Sequence, residues 1–322
     1  MSENEQPSHH DQARRIETAL NEVLVGQPRV VRQILVALVA GGHVLLEGVP
    51  GLGKTLLVRS LARALGLPFG RVQFTPDLMP TDITGHTLYD ASTERFRVRK
   101  GPVFTNMLLA DEINRAPAKT QAALLEVMQE RQVTIEGQAF ALTEPFMVMA
   151  TQNPIDQEGT YPLPEAELDR FLFKVLIDYP DDRDEQELTR LVLDGAIGSN
   201  LDVAGLEAVL DTDAVPELRA ERDRILVDDA VLDYAVRLAR TTRDLAGVER
   251  GASPRASIAL VQAGRAHALL EGRSFVTPDD IKAVAAPVLR HRMQLSADAE
   301  IEGQTSETVL ERLLETVDAP RQ

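Results

Sequence analysis

The chain has 322 residues, 44% of them hydrophobic and 26% charged, enough for two domains with sizeable cores. It has no cysteine, which excludes disulfides, thiolate metal sites and thiol catalysis and fits a reducing interior. Its net charge of −16 argues against a polyanion as partner, although a local basic groove is compatible with an acidic total. The first residues lack the basic and apolar pattern of a leader, and no apolar run approaches a membrane span, so a soluble cytoplasmic protein is expected.

In chain order, residues 1–11 read as a polar tail and residues 12–23 as an amphipathic helix. Val25-Gly26-Gln27-Pro28 is a turn, and Pro28 suits the start of a helix over 29–40 that Gly41-Gly42 ends. Residues 43–47 form a short apolar strand, and residues 56–65 repeat apolar side chains at helical spacing. A second strand is expected at 71–74, then a loop at 75–85. Two alternating runs, 87–89 and 96–99, flank the turn cluster Asp90-Ala-Ser-Thr93 and predict a hairpin. Its second arm carries Arg95, Arg97, Arg99 and Lys100, which read either as the charge of a protected edge or as a surface for a partner. Residues 107–110 are a third strand, 119–130 a helix, 132–142 a second hairpin, 146–150 a fourth strand and 173–177 a fifth. Apolar runs interleaved with helices predict a parallel sheet covered on both faces. An acidic, proline-containing stretch at 178–185 marks a domain junction. Beyond it only helical periodicity is visible, with Asp228, Ser253 and Thr277 as caps, the last with Asp280 three residues on.

The chemistry centres on Gly48-Val49-Pro50-Gly51-Leu52-Gly53-Lys54-Thr55, a G-x-x-x-x-G-K-T pattern between a strand and a helix. The glycines let backbone N–H groups turn toward phosphate oxygens, and the following helix adds its positive end. Lys54 would reach the β- and γ-phosphates, and the Thr55 hydroxyl would bind Mg²⁺. Asp111-Glu112 ends the third strand on the sheet edge where ligands bind. Asp111 could hold Mg²⁺ and Glu112 take a proton from attacking water, which is nearly all that phosphoryl transfer requires. Asn153 ends the fourth strand on the same edge, as a γ-phosphate or water contact or as the close of a turn before Pro154. Arg170 reads as an ion pair with Glu167 or Asp169, or as an arginine finger reaching a neighbouring subunit. Arg255, in the first turn after the cap Ser253, opposes the helix dipole, which suggests a phosphate partner or a solvated cation. Glu47 reads as an ordinary strand-end acid. The six histidines show no metal-ligand spacing.

These segments together resemble the MoxR family of AAA+ ATPases. The resemblance rests on GVPGLGKT (48–55), LLADE (108–112), Asp111-Glu-Ile-Asn-Arg-Ala116 running into residues 119–126, Ala150-Thr-Gln-Asn-Pro154, residues 164–171 and Gly251-Ala-Ser-Pro-Arg-Ala256. It covers the chain from about Val25 to the last helices. It implies an α/β P-loop NTPase sandwich, an αβα domain with a five-stranded parallel sheet over residues 12–180, with an insert hairpin near 86–100. An all-α lid follows over 181–322. By resemblance Lys54 and Thr55 are Walker A residues, Asp111 and Glu112 the Walker B pair, Asn153 the first sensor, Arg170 the finger and Arg255 the second sensor. Val25, Gly26 and Gln27 fall where such proteins cradle adenine, with Leu56 at the loop's helical end. Asp111, Glu112, Asn153 and Arg255 are expected to complete the site within one chain, and Arg170 from a second copy. The implied ligands are ATP and Mg²⁺.

The implied function is an ATP-hydrolysing remodeller or chaperone of partner proteins in a homo-oligomeric ring, a hexamer as family members usually form, often with a von Willebrand factor A domain partner. The ATPase motor of a metal-chelatase-like complex is an alternative. A nucleic-acid remodeller has only the Arg95–Lys100 cluster in its favour. A small-molecule kinase or GTPase would not need Arg170 and Arg255 where they stand, and no N-K-x-D guanine signature is present.

Overall fold

A computed structural model describes residues 9–49, 51–153, 160–193, 208–209 and 212–320. Two helices, α1 (His9–Val23) and α2 (Pro28–Ala40), precede the first strand. α1 takes in His9, His10 and Asp11, which the polar composition assigned to a tail, because polar residues fit a first helical turn once Ala13, Ile16 and Leu20 are buried behind them. α2 ends at Gly41, whose left-handed φ of 75° turns its N–H back to Ala37 and Leu38.

The chain then runs through β1 (Val44–Glu47), α3 (Lys54–Ala64), β2 (Phe69–Gln73) and α4 (Pro80–Thr84). α4 lies inside the expected loop, started by Pro80 and by Asp82, whose carboxylate accepts the Met79 N–H at 2.9 Å. A hairpin of β3 (Gly85–Asp90) and β4 (Arg95–Lys100) follows, then β5 (Met107–Asp111), α5 (Ala118–Glu130), the hairpin β6 (Gln132–Ile135) and β7 (Gln138–Ala141), β8 (Met147–Gln152), α6 (Glu165–Leu168) and β9 (Phe173–Leu176).

Five strands form one parallel sheet in the order β2-β5-β8-β1-β9. Side chains alternate across it. Val44, Leu46, Leu109 and Met149 face α2 and α3, while Leu45, Leu108, Ala110 and Val148 face Leu124 and Leu125 of α5. The sheet is thus an αβα sandwich, and its two-sided burial explains the nearly unbroken apolar runs.

The lid comprises α7 (Asp182–Leu193), α8 (Ala214–Arg224), α9 (Asp229–Thr241), β10 (Val248–Arg250), α10 (Pro254–Leu270), α11 (Pro278–Leu289), β11 (Gln294–Leu295), α12 (Ala297–Ile301) and α13 (Ser306–Thr316). Among the described residues it is helical apart from the short ladder of β10 with β11 and a single bridge between Leu226 and Phe275, too brief to leave a period in the sequence. Asp228, Ser253 and Thr277 each cap a helix, and Asp280 completes a capping box with Thr277. Burial alone would raise the Asp280 carboxyl's pKa; hydrogen bonds from Arg273, His267 and Thr277 outweigh it and hold the group ionised, below the usual carboxylate range.

The lid does not form a separate core. α10 packs on α2, and the apolar cluster under one sheet face continues into Tyr234, Leu260 and Ala263. That is why nine residues of α2 are buried, more than a one-sided helix requires. Arg219 and Arg222 of α8 add polar ties, donating to the terminal α2 carbonyls of Leu38, Val39 and Ala40 at 2.7–3.1 Å. Among the described residues no helix is long and apolar enough to cross a membrane.

His43 enters β1 from the buried bottom of the sheet. Its Nε2–H donates to the Met128 carbonyl at 3.1 Å, so Nδ1 is left to accept the Val148 N–H at 2.9 Å. Burial pushes its pKa from 6.5 down to about 4. A lowered folded-state pKa means the neutral ring's stabilisation is complete above pH 6.5 and is lost as pH falls from 6.5 toward 4. Urea unfolding at pH 7.5 and pH 5 should therefore show a loss to which His43 contributes about 2 kcal/mol, and His43→Gln should lack that part of the difference.

Candidate functional site

The C-terminal edges of β1, β5 and β8 lie side by side, and each ends in a polar residue where the sheet opens. β1 leads into the loop 48–53 and then the N-terminus of α3, which begins with Lys54 and Thr55. Pro50 lies outside the described residues. Gly51 and Gly53 have φ of 88° and 73°, a left-handed conformation that β-carbons disfavour. Gly48 is required for a different reason: a Cβ there would sit 2.5 Å from the Ile177 carbonyl, so a side chain cannot fit between the loop and the end of β9. Val49 continues the loop beside it.

A cavity of about 280 Å³ opens at this edge, lined by Gly51, Gly53, Lys54, Thr55, Leu56, Arg59, Asp111, Glu112, Thr151 and Asn153. The Lys54 ammonium donates to the Gly48 carbonyl. Burial lowers its pKa, while the negative charges of Asp111, Glu112 and Glu47 oppose that and favour the cation. Asp111 is held from two sides. Arg71 Nη2 donates to its Oδ2 at 2.6 Å, and the Thr151 hydroxyl donates to Oδ1 at 2.7 Å. The same hydroxyl accepts the Glu112 N–H at 2.8 Å. Glu112 adopts a left-handed φ of 56°, and its Oε2 accepts from Gln73 Nε2 at 2.8 Å and pairs with Arg115 at 3.2 Å.

Thr55 and Asp111 are placed in one cavity and could hold a divalent cation. Among the described residues no three acids or histidines gather into a metal cluster, so such an ion would draw its other ligands from phosphate oxygens and water, as Mg²⁺ prefers.

On the other side of the loop, a second cavity of about 240 Å³ shares Gly51, Gly53 and Leu56 with the first. Val25, Gln27 and Leu52 line it from the body, and Tyr179, Pro180, Glu185 and Leu188 from the start of the lid. Gly26, with φ of 76°, has no room for a Cβ beside the Asp184 carboxylate. Gln27 Nε2 donates to the Asp178 carbonyl at 3.0 Å and ties the turn to the junction. A polar cleft thus continues into an apolar one across a single glycine loop.

Of the two arginines, Arg255 is placed differently from the expectation that it completes the site within one chain. Arg255 does not line the cavity around Lys54. It is exposed, and with half-buried Arg170 it lines a separate cavity of about 240 Å³ beside His43 and Met128. The reason is a set of polar ties on the residue before Arg170. Asp169 accepts from Ser253 Oγ at 2.9 Å and from Arg292 Nε at 2.7 Å. Arg292 is almost fully buried, and its guanidinium also donates to the carbonyls of Phe171 at 2.6 Å, Leu172 at 3.0 Å and Val288. Because Ser253 is also the cap of α10, this tie carries Arg255 to Arg170 and away from Lys54.

Sequence reasoning missed Thr151, Gln73 and Arg71. Thr151 is near the end of β8 and Asn153 just past it, and both line the cavity. Gln73 and Arg71 act through the pairing of β2 with β5, which no local pattern reveals. Glu47 is not a bare strand-end acid: it pairs with Lys174 at 2.9 Å and accepts from Gln152. Tyr179 and Pro180, read as a domain junction, line the apolar cleft.

Residues 43–173 match the AAA family of ATPases associated with various cellular activities, and residues 240–313 match the AAA lid domain. The chain is 46% identical over 311 residues to the chaperone MoxR1 of Mycobacterium tuberculosis, covering 94% of this chain and 81% of that one. It is 38% identical to the protein MoxR of Paracoccus denitrificans, covering 89% and 90%. The solved structure of a putative ATPase from Cytophaga hutchinsonii superposes with a TM-score of 0.89 at 40% identity, over 97% of this chain and 96% of that one.

Removing the Arg292 guanidinium leaves Asp169 part-buried without its main cation. Arg292→Met should lower unfolding stability by about 3–5 kcal/mol, and Ser253→Ala, which loses a cap and one Asp169 contact, by about 1 kcal/mol, both measured by urea titration.

Proposed function

The chain belongs to the MoxR family of AAA+ ATPases, and on that premise we propose that it hydrolyses ATP to ADP and phosphate between identical subunits and uses the energy to remodel a partner protein. In this reading the cytoplasmic assembly is a homo-oligomeric ring, most simply a hexamer, and the client includes a protein with a von Willebrand factor A domain. The M. tuberculosis relative is named a chaperone, which supports a protein client.

Adenine occupies the apolar cleft beside Val25, Gly26 and Gln27, between Leu52, Leu56 and Tyr179. The triphosphate crosses the loop at Gly48–Gly53, where N–H groups and the positive end of α3 face it. Lys54 neutralises the β- and γ-phosphates. Thr55 and Asp111 would hold Mg²⁺, which when bound would offset charge on the phosphate oxygens. Glu112 takes the proton from water, and Asn153 orients that water or the γ-phosphate. Gln73 and the Thr151 hydroxyl hold Glu112 and Asp111 in place.

The observation that carries the oligomeric part is the separation of the cations. Arg170 and Arg255 share a cavity that does not include the residues around Lys54. Two arginines kept together but away from their own chain's phosphate cleft suit delivery to a neighbour's γ-phosphate, where developing charge needs a cation.

Glu112→Gln should retain nucleotide binding and lose turnover by on the order of 10²–10⁴-fold in a phosphate-release assay; an active variant would remove Glu112 from the mechanism. Subunit mixing tests the arginines. Lys54→Ala chains carry intact arginines, and Arg170→Ala or Arg255→Ala chains carry intact phosphate loops. Each variant alone should be inactive, and each mixture should regain part of the activity. If the Arg255→Ala mixture stays inactive while the Arg170→Ala mixture recovers, Arg255 serves its own chain's site.

A further inference from the structure

The β3–β4 hairpin has two different faces. The register pairs Leu88 with Arg97, His86 with Arg99 and Asp90 with Arg95, so Arg95, Arg97 and Arg99 share one face. Val98 is on the opposite face and packs on the apolar cluster with α5, so the arginine face looks away from the body. Tyr89 and Phe96 stack beyond Val98, ring centroids 5.3 Å apart, with Phe96 74% exposed.

The arginine row stands out against a chain of net charge −16. Arg97 is paired with Asp90 at 3.2 Å, while Arg95 and Arg99 have no acid partner among the described residues. Edge protection alone needs one inward or exposed charge, not three at every second position. The hairpin is also a two-stranded sheet by itself, so the outer edge of β4 pairs with no other strand among the described residues. An extended segment added along that edge would place its alternate side chains about 6.8 Å apart, the same repeat as Arg95, Arg97 and Arg99.

We propose that β4 is a docking edge for an extended, acidic segment of a client polypeptide, bound by backbone pairing and by Arg95, Arg97 and Arg99 facing acids at alternate positions. The inference rests on the remodelling reading only in taking the ligand to be a polypeptide. Each exposed ion pair is weak, so recognition comes from the row together with the backbone, and it is sensitive to salt.

The test is fluorescence anisotropy of a labelled peptide of alternating Glu and Thr, with an alternating Lys and Thr peptide and a single-stranded oligonucleotide as comparisons. The full chain should bind the acidic peptide in preference to both. Combined Arg95→Glu, Arg97→Glu and Arg99→Glu substitution should weaken it by about tenfold or more. The milder Arg→Gln triple, checked for an unchanged thermal midpoint, guards against a misfolded hairpin and should show a smaller loss. Absence of acidic-peptide binding, equal binding of the Lys peptide, or binding unchanged in both triples overturns the proposal. Tighter binding of the oligonucleotide also overturns it and assigns the face to nucleic acid. Peptide binding is read without ATP. A chain that hydrolyses ATP but ignores the acidic peptide fails only this inference, and one that binds the peptide without ATPase activity fails only the enzymatic reading.

Discussion

A buried guanidinium is tolerable only when nearly every one of its donors is used, and Arg292 meets that condition mostly through partners outside the lid. Asp169 supplies the counter-charge, and the carbonyls of Phe171 and Leu172 supply further acceptors on the segment that also carries Arg170. Pulling the lid away would strand the cation or the carboxylate, at a cost that exceeds what an exposed ion pair contributes. The lid and the segment that carries Arg170 are therefore held as one unit. The position of Arg255, the shared arginine cavity and the need for a second subunit in the proposed mechanism all follow from that tie.

The other end of the site is governed by strand order. β1 lies between β8 and β9, and β8 lies between β1 and β5. That order places the phosphate loop, Asn153 and the two acids on neighbouring strand ends. The acids would repel one another and any phosphate if left bare. Arg71 and Arg115 balance their charge, and the Thr151 hydroxyl spans both residues. Two carboxylates thus stand beside a lysine whose cation their field favours.

The strand runs at 44–47, 107–110 and 146–150 were legible because burial on both faces leaves a continuous apolar signal. The loop 48–55 was legible because glycine, lysine and threonine at that spacing serve one chemistry. α4 and the β10–β11 ladder were not, since elements so short leave no period to read. Thr151 was quoted within a motif yet passed over, because a threonine on a strand ordinarily signals nothing beyond a strand. The continuity of the lid core with α2 was hidden for a related reason: a helix buried on several sides differs from an ordinary amphipathic one only in degree.

By itself the sequence determined the sheet strands and the longer helices, the G-x-x-x-x-G-K-T loop, the paired acids and the presence of Arg170 and Arg255. These depend on residue type and on spacing within a few positions. Only the tertiary structure decided that the two arginines line one cavity apart from Lys54. That choice hangs on contacts between residues more than eighty positions apart, Asp169 with Ser253 and Arg292, and no local pattern encodes a partner at that distance.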